Sequence, residues 1–251
     1  SSVNLPWHYP IVWIFITTPI MYLFFSLVGL ILFFYSLTNF SKFNHYNFLL
    51  DTIHVLIILI TIFSIILLES TLYNGWRHAY FIYPSIIYLS LIGINFFLKK
   101  FEKNVLRIFY VLTFIGIFNV GYWMFKNHPY QYVYFNSFAG SNIQNKFVLD
   151  YWGLSYKQNL ENLLISESKK NIFLFNSSKI KMFYPLNSLN FSDRSRIKVV
   201  KNLNDADYWI TNYYLDDIIG NTNLLNDFEL HNDIKVDGIS INTIFKRIKV
   251  K

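Results

Sequence analysis

Four stretches of this 251-residue chain carry no charged side chain over a length that can cross a lipid bilayer. They run from Ile11 to Ser41, Thr52 to Leu68, Ala79 to Leu98 and Ile108 to Phe125. A hydrocarbon core about 30 Å thick takes roughly 20 helical residues, with about 17 as the lower limit. The second and fourth stretches, at 17 and 18 positions, sit near that limit, and His54, Tyr122 and Trp123 extend their ends at the interface. Pro19 and Pro84 interrupt the first and third, which membrane helices tolerate better than soluble ones. The first stretch is too long for a signal peptide and has no basic segment ahead of it.

Charge divides the chain in two. Residues 1–138 hold 7 Lys and Arg and 3 Asp and Glu, against 15 and 12 in residues 139–251. A soluble domain carries roughly 25% charged residues, so only the second part reads as soluble. The expected fold class is an α-helical transmembrane region of four spans (1–138) followed by a small extracytoplasmic α/β domain (139–251). Neither part is a basic block of the kind that tracks nucleic acid, so no nucleic-acid partner is expected. The absence of cysteine excludes disulfides, thiolate nucleophiles and Cys-ligated metal centres.

Basic residues set the expected orientation. Lys99-Lys100-Phe101-Glu102-Lys103, with Arg107 just beyond, marks a cytoplasmic loop. Alternation puts the Lys42–His45 loop inside as well. It puts the N-terminus, the Glu69–His78 loop and the C-terminal domain outside, in an integral membrane protein. A chain that starts outside and enters its first span within ten residues reads as a fragment of a larger membrane protein.

The expected outer-face segments hold the residues that bear chemistry. They are Leu5-Pro6-Trp7-His8-Tyr9-Pro10, Tyr73-Asn74-Gly75-Trp76-Arg77-His78-Ala79-Tyr80, His128-Pro129-Tyr130-Gln131-Tyr132-Val133-Tyr134-Phe135-Asn136, and Leu149-Asp150-Tyr151-Trp152-Gly153-Leu154-Ser155-Tyr156. Trp7, Tyr9, Trp76, Tyr80, Tyr130 and Tyr132 have an ordinary explanation as an interfacial aromatic belt. Arg77 and His78 differ, because an outer-face arginine runs against the charge bias. Its fork of donors suits a phosphate, and an ion pair with Glu69 is the alternative. His8 has an ordinary explanation as an interfacial histidine between two prolines.

Together these four segments resemble the C-terminal half of bacterial GT-C type membrane glycosyltransferases. Those proteins are related to the dolichyl-phosphate-mannose protein mannosyltransferases and to the aminoarabinose transferases of lipid A. The resemblance runs from about Pro6 to Tyr156. It implies transfer of a sugar from a polyprenyl-phosphate donor to an acceptor glycan, lipid or protein at the outer face of the bilayer. It further implies that Arg77, His78 and His8 contact the donor phosphate, and that Trp7, Tyr9, Trp76, Tyr130 and Asn136 contact substrate. In such a reaction a cation stabilises the departing phosphate and a carboxylate deprotonates the attacking hydroxyl. The family's acidic residue lies in a first outer loop, so the general base is expected upstream of Ser1 and this stretch alone is expected to be inert. Glu69 reads as the partner of Arg77, Asp150 as a turn or interface residue, and Asp51 as too far from the outer face. A divalent metal fits the reaction, although no ligand set in the chain specifies one.

The second part reads as α/β. Leu160, Leu163 and Leu164 give helical spacing within Tyr156–Lys169. Strands are expected at Asn171–Phe175, Ile197–Val200 and Asp207–Tyr213, with a hairpin of Phe228–Val236 and Ile239–Ile248 around Asp237-Gly238. Strands separated by helical pieces predict a mostly parallel sheet with an antiparallel edge. His231 and Asp233 share a strand face, where two residues make no metal site. Asn176-Ser177-Ser178 and Asn190-Phe191-Ser192 fit a glycosylation pattern that an asparagine-rich chain produces by chance. A membrane-anchored extracytoplasmic binding or envelope-assembly module is the alternative function. A transporter ranks below both, since the spans offer no charged pathway.

Overall fold

The computed structural model describes residues 5–38, 45–214, 216 and 226–248. Lys42, Phe43 and Asn44 of the expected cytoplasmic loop lie outside them. The chain forms two compact units, one of residues 1–128 and 134–140, the other of residues 129–133 and 141–251.

The first unit is helical. Its elements are α1 (Tyr9–Thr17), α2 (Ile20–Thr38), α3 (His45–Leu67), a 3-10 segment (Arg77–Ile82) leading into α4 (Tyr83–Lys100), and α5 (Lys103–Lys126). Four helices among the described residues are long and apolar enough to cross a membrane: Ile20–Thr38, Phe48–Leu67, Arg77–Lys100 and Lys103–Lys126. The apolar stretch that begins at Ile11 is therefore two helices and not one. Thr18, just before Pro19, is extended (φ −96°, ψ 137°), because the proline ring disfavours helical geometry in the residue preceding it. Pro84 acts differently. It occupies the first turn of α4, where its missing N–H costs little, and the tighter 3-10 turns precede it. α3 begins before Asp51, so the span is longer than its charge-free stretch. The Asp51 carboxylate accepts from Tyr88 Oη at 2.7 Å, and His54 Nδ1 lies 3.0 Å from Ser85 Oγ. These two bonds tie α3 to α4, a polar link within the bundle that the sequence reading did not anticipate.

α2 and α4 meet backbone to backbone. A Cβ on Gly29 of α2 would overlap the Leu89 carbonyl of α4, and a Cβ on Gly93 of α4 would overlap the Phe25 carbonyl of α2. Small residues at such crossings let helices associate where apolar burial gives no advantage over lipid. Ser90 Oγ adds a bond of 2.8 Å to the Tyr22 carbonyl. α5 has no buried residue, and it exposes Phe114, Phe118 and Tyr122, as a helix facing hydrocarbon does.

The second unit contains α6 (Ile143–Lys146), α7 (Ser155–Ser166), β1 (Ile172–Asn176), α8 (Phe183–Asn187), α9 (Phe191–Arg196), β2 (Ile197–Val200), β3 (Tyr208–Thr211), β4 (Phe228–Val236) and β5 (Ile239–Arg247). Its strands form one mixed sheet in the order β2-β1-β3-β5-β4. β1 pairs in parallel with β2 and β3, while β5 runs antiparallel to β3 and β4. Asp237 (φ 49°) and Gly238 (φ 79°) both adopt positive φ, as a two-residue hairpin turn of this hand requires. α7 buries Tyr156, Leu160 and Leu163 against Ile172, Leu174, Tyr208, Ile210 and Ile244. Burying one such side chain stabilises by about 1.5–3 kcal/mol. Asn159 sits in the same interior, where its amide donates to Asn242 Oδ1 at 2.5 Å and accepts from Asn232 at 2.6 Å.

The α2–α4 crossing gives a direct test. Gly29→Ile or Gly93→Ile forces two backbones apart and is expected to destabilise by about 1–3 kcal/mol. Gly121→Ala, with no heavy atom within 4 Å of the added Cβ, is expected to be neutral or to stabilise by up to about 1 kcal/mol. Unfolding in mixed micelles compares the three. Equal losses at all of them would mean that the close crossing has no energetic weight.

Candidate functional site

The helix break at Thr18 organises the first unit around α1. With the α1–α2 hydrogen-bond ladder interrupted, carbonyls in an apolar setting need donors from elsewhere. Asn136 supplies them. Its side-chain nitrogen donates to the Phe15 and Thr18 carbonyls at 2.7 Å each, and its backbone N–H donates to the Ile16 carbonyl at 2.8 Å. Its side-chain oxygen accepts from Phe138 N at 2.9 Å. Asn136 is thus a buried backbone clamp whose hydrogen-bonding groups face the protein. The sequence had marked it for substrate contact.

The Tyr73–Tyr80 segment is pinned to the other side of the same helix. Trp76 is buried, and its Nε1 donates to Thr17 Oγ1 at 2.9 Å. Tyr9 Oη accepts from Gly75 N at 3.1 Å and donates to the Tyr73 carbonyl at 3.4 Å. Gly75 has φ 66°, a backbone conformation that strains any side chain, and a Cβ there would come into contact with the Trp13 ring. This places Arg77 half-buried and His78 exposed. The Tyr73 ring is 5.8 Å from the guanidinium and 5.7 Å from the imidazole. Trp7 and His8 are exposed neighbours with rings edge-on at 5.4 Å. Of the residues marked by sequence, the first unit therefore holds Trp7, His8, Tyr9, Trp76, Arg77, His78 and Asn136, while Tyr130 belongs to the second.

Glu69 is not the salt-bridge partner that the sequence suggested for Arg77. Among the described residues its carboxylate makes no ion pair and no hydrogen bond. Glu69 caps α3 instead. Ser70 N–H bonds to the Ile65 carbonyl at 3.0 Å and Glu69 N–H to the Ile66 carbonyl at 3.4 Å, which is the Schellman closure of a helix. Glu69 takes the left-handed position in it, at φ 47°. Glycine or asparagine usually fills that position, and other residues lose roughly 1–2 kcal/mol there. The carboxylate also faces the negative end of the helix dipole.

Two cavities open beside this cap, and Ile65, Ser70 and Leu72 line both. One, of about 310 Å³, is also lined by Pro6, Trp7, Pro10 and Glu69. The second, of about 430 Å³, is lined by polar Thr61, Ser64, Thr71 and His78 and by apolar Ile60 and Phe81 as well. Nothing in the residue spacing announces these cavities. The one readable signal is an acidic residue at the end of an apolar stretch, where a helix C-terminus favours a cation.

In the second unit Asp150 is fully buried. Its carboxylate accepts from Tyr132 Oη at 2.8 Å, Leu154 N at 3.0 Å, Ser155 N at 3.2 Å and Ser155 Oγ. It therefore caps the N-terminus of α7, and the sequence assignment to a turn understates its burial. Removal from water pushes the carboxyl above its ordinary range, with the four donors opposing that shift. Burial and the adjacent Asp150 charge raise the Tyr130 hydroxyl to about 12 and push Tyr132 up further. Tyr130 Oη donates to Gln158 at 2.5 Å. Among the described residues no three His, Asp or Glu gather to hold a metal ion. His231 bonds to Ser166 at 3.0 Å, and Asp233 accepts from Ser240 and Thr243 at 2.6 and 2.9 Å.

No family model, curated protein or solved structure matches this chain.

Two predictions follow from the hydrogen bonds. Asn136→Ala strands two carbonyls and is expected to lower stability by about 2–3 kcal/mol. Asn136→Asp is expected to do worse, because a carboxylate cannot donate, and thermal unfolding in detergent measures both. The second concerns acid. A carboxyl whose folded pKa lies above its unfolded value of 3.8 stabilises fully below 3.8 and loses that contribution as pH rises through the raised value. The stability of the wild type relative to Asp150→Asn is therefore expected to fall across that window and to stay flat above it. A difference that rises with pH would reverse the assignment.

Proposed function

We propose that this chain is part of an integral-membrane glycosyltransferase that takes a sugar from a polyprenyl-phosphate donor to an acceptor at the extracytoplasmic face. The observation that carries the reading is the larger cavity beside the α3 cap. Its lining combines the hydroxyls of Thr61, Ser64, Ser70 and Thr71 and the His78 imidazole with apolar Ile60, Ile65, Leu72 and Phe81. A phosphate joined to an isoprenoid chain likewise needs polar groups for its head and apolar surface for its tail. Arg77 follows Trp76 in the segment pinned to α1 by Thr17 and Tyr9. A guanidinium on a fixed backbone is suited to hold a phosphate by paired hydrogen bonds and to stabilise the charge it acquires on leaving. His78 adds a second donor. Four apolar helices of membrane-spanning length fit a donor that cannot leave the bilayer. The orientation rests on the basic residues around Lys99 and Lys100. Asp150, held by four donors as a helix cap, has no part in the transfer.

Binding separates this reading from that of an anchored module, and it does not require turnover. The chain in nanodiscs is titrated with undecaprenyl phosphate, using phosphatidylglycerol as the anionic control and native mass spectrometry as the readout. Undecaprenyl phosphate is expected to bind at least 10-fold tighter than the control. Arg77→Ala and His78→Ala are each expected to weaken it by about 10-fold or more, the size of a lost charge-assisted hydrogen bond. Equal affinity for the two lipids would sink the proposal and leave the helices as an anchor.

A further inference from the structure

The smaller cavity beside the α3 cap is a second site, distinct in chemistry from the larger one. Trp7 forms part of its wall with 68% of its surface exposed. Glu69 lines the same cavity, and its carboxylate has no hydrogen bond or ion pair among the described residues. Ser70 adds a hydroxyl, and Pro6 and Pro10 give rigid apolar edges.

Glu69 occupies a position that disfavours it twice. The left-handed backbone selects glycine, and the helix terminus selects a cation. A glutamate fits such a place when its side chain serves something other than the helix. The cavity, at about 310 Å³, is at the lower end of the range of small-molecule sites.

We infer that this cavity binds a hydroxyl-bearing sugar ring, with the Trp7 indole against the ring's C–H face and the Glu69 carboxylate accepting from its hydroxyls. A pyranose needs one apolar surface together with hydrogen-bond acceptors and donors. The indole, the carboxylate and the Ser70 hydroxyl supply these in turn. An ammonium group would also suit an aromatic ring beside a carboxylate, but it offers only donors and leaves the Ser70 O–H without an acceptor. The glycan fits the full donor and acceptor set. The inference stands on the cavity alone and does not need the transfer reaction.

The test uses the full chain in nanodiscs with methyl α-D-mannopyranoside and methyl β-D-glucopyranoside as probes, read by saturation-transfer NMR. Ethanolamine serves as the ammonium probe. Saturation is expected at the ring C–H protons of at least one glycoside. Trp7→Ala and Glu69→Gln are each expected to weaken binding at least 5-fold. Both side chains are exposed, so neither change disturbs the fold. Glu69→Gly is expected to raise the thermal midpoint while weakening binding to the same degree, a combination that a purely structural glutamate would not give. No glycoside response, a response that survives both substitutions, or a response to ethanolamine alone would overturn the inference. Glycoside binding without preferential undecaprenyl-phosphate binding would keep this site and remove the glycosyltransferase reading.

Discussion

A helix that stops inside an apolar bundle must find donors for the carbonyls it leaves behind, and the first unit is arranged around that requirement. Pro19 breaks the α1–α2 ladder, Asn136 fills the vacated positions, and Trp76 donates to the hydroxyl of Thr17 one residue before the break. Three segments far apart in sequence thereby meet on one short helix. The Arg77–His78 segment owes its position to this meeting, since the two residues follow Trp76 directly. The aromatic residues that look like an interfacial belt are, for Tyr9 and Trp76, hydrogen-bonded to this scaffold.

Large elements were legible because they rest on composition and period. The apolar stretches each yielded a long helix, the first with a break at Thr18 that sets off short α1, and the alternation around Asp237-Gly238 became a hairpin with its turn at those two residues. What escaped the sequence depends on long-range pairing. Asn136 carries the same functional groups whether it meets a substrate or the carbonyls of Phe15 and Thr18, and only the fold brings those carbonyls to it. Asp150 likewise reads as a turn residue until its four donors are assembled around it. The Arg77–Glu69 pairing was plausible on separation along the chain. The left-handed cap at Glu69 closes α3 without such a pair.

The two cavities share a wall formed by Ile65, Ser70 and Leu72, yet their chemistry diverges. A histidine and several hydroxyls mark one, and a carboxylate and an indole mark the other. If the larger holds a phosphate and the smaller a sugar ring, as proposed above, the partition between them keeps the two ligands from competing for one set of contacts. The sheet unit contributes neither cavity. Its buried amides and tyrosines serve to hold α7 on the strands.

The crossing of α2 and α4 also governs how the helical unit can move. With Gly29 seated on the Leu89 carbonyl and Gly93 on the Phe25 carbonyl, no side chain lies between the two backbones to act as a compliant layer. Axial sliding would drive each Cα into the next turn of the other helix, whereas scissoring about the contact leaves both notches engaged. The pair is a pivot. Any widening beside the α3 cap must then come from α3 and the segment that follows it, with α2 and α4 as the fixed frame.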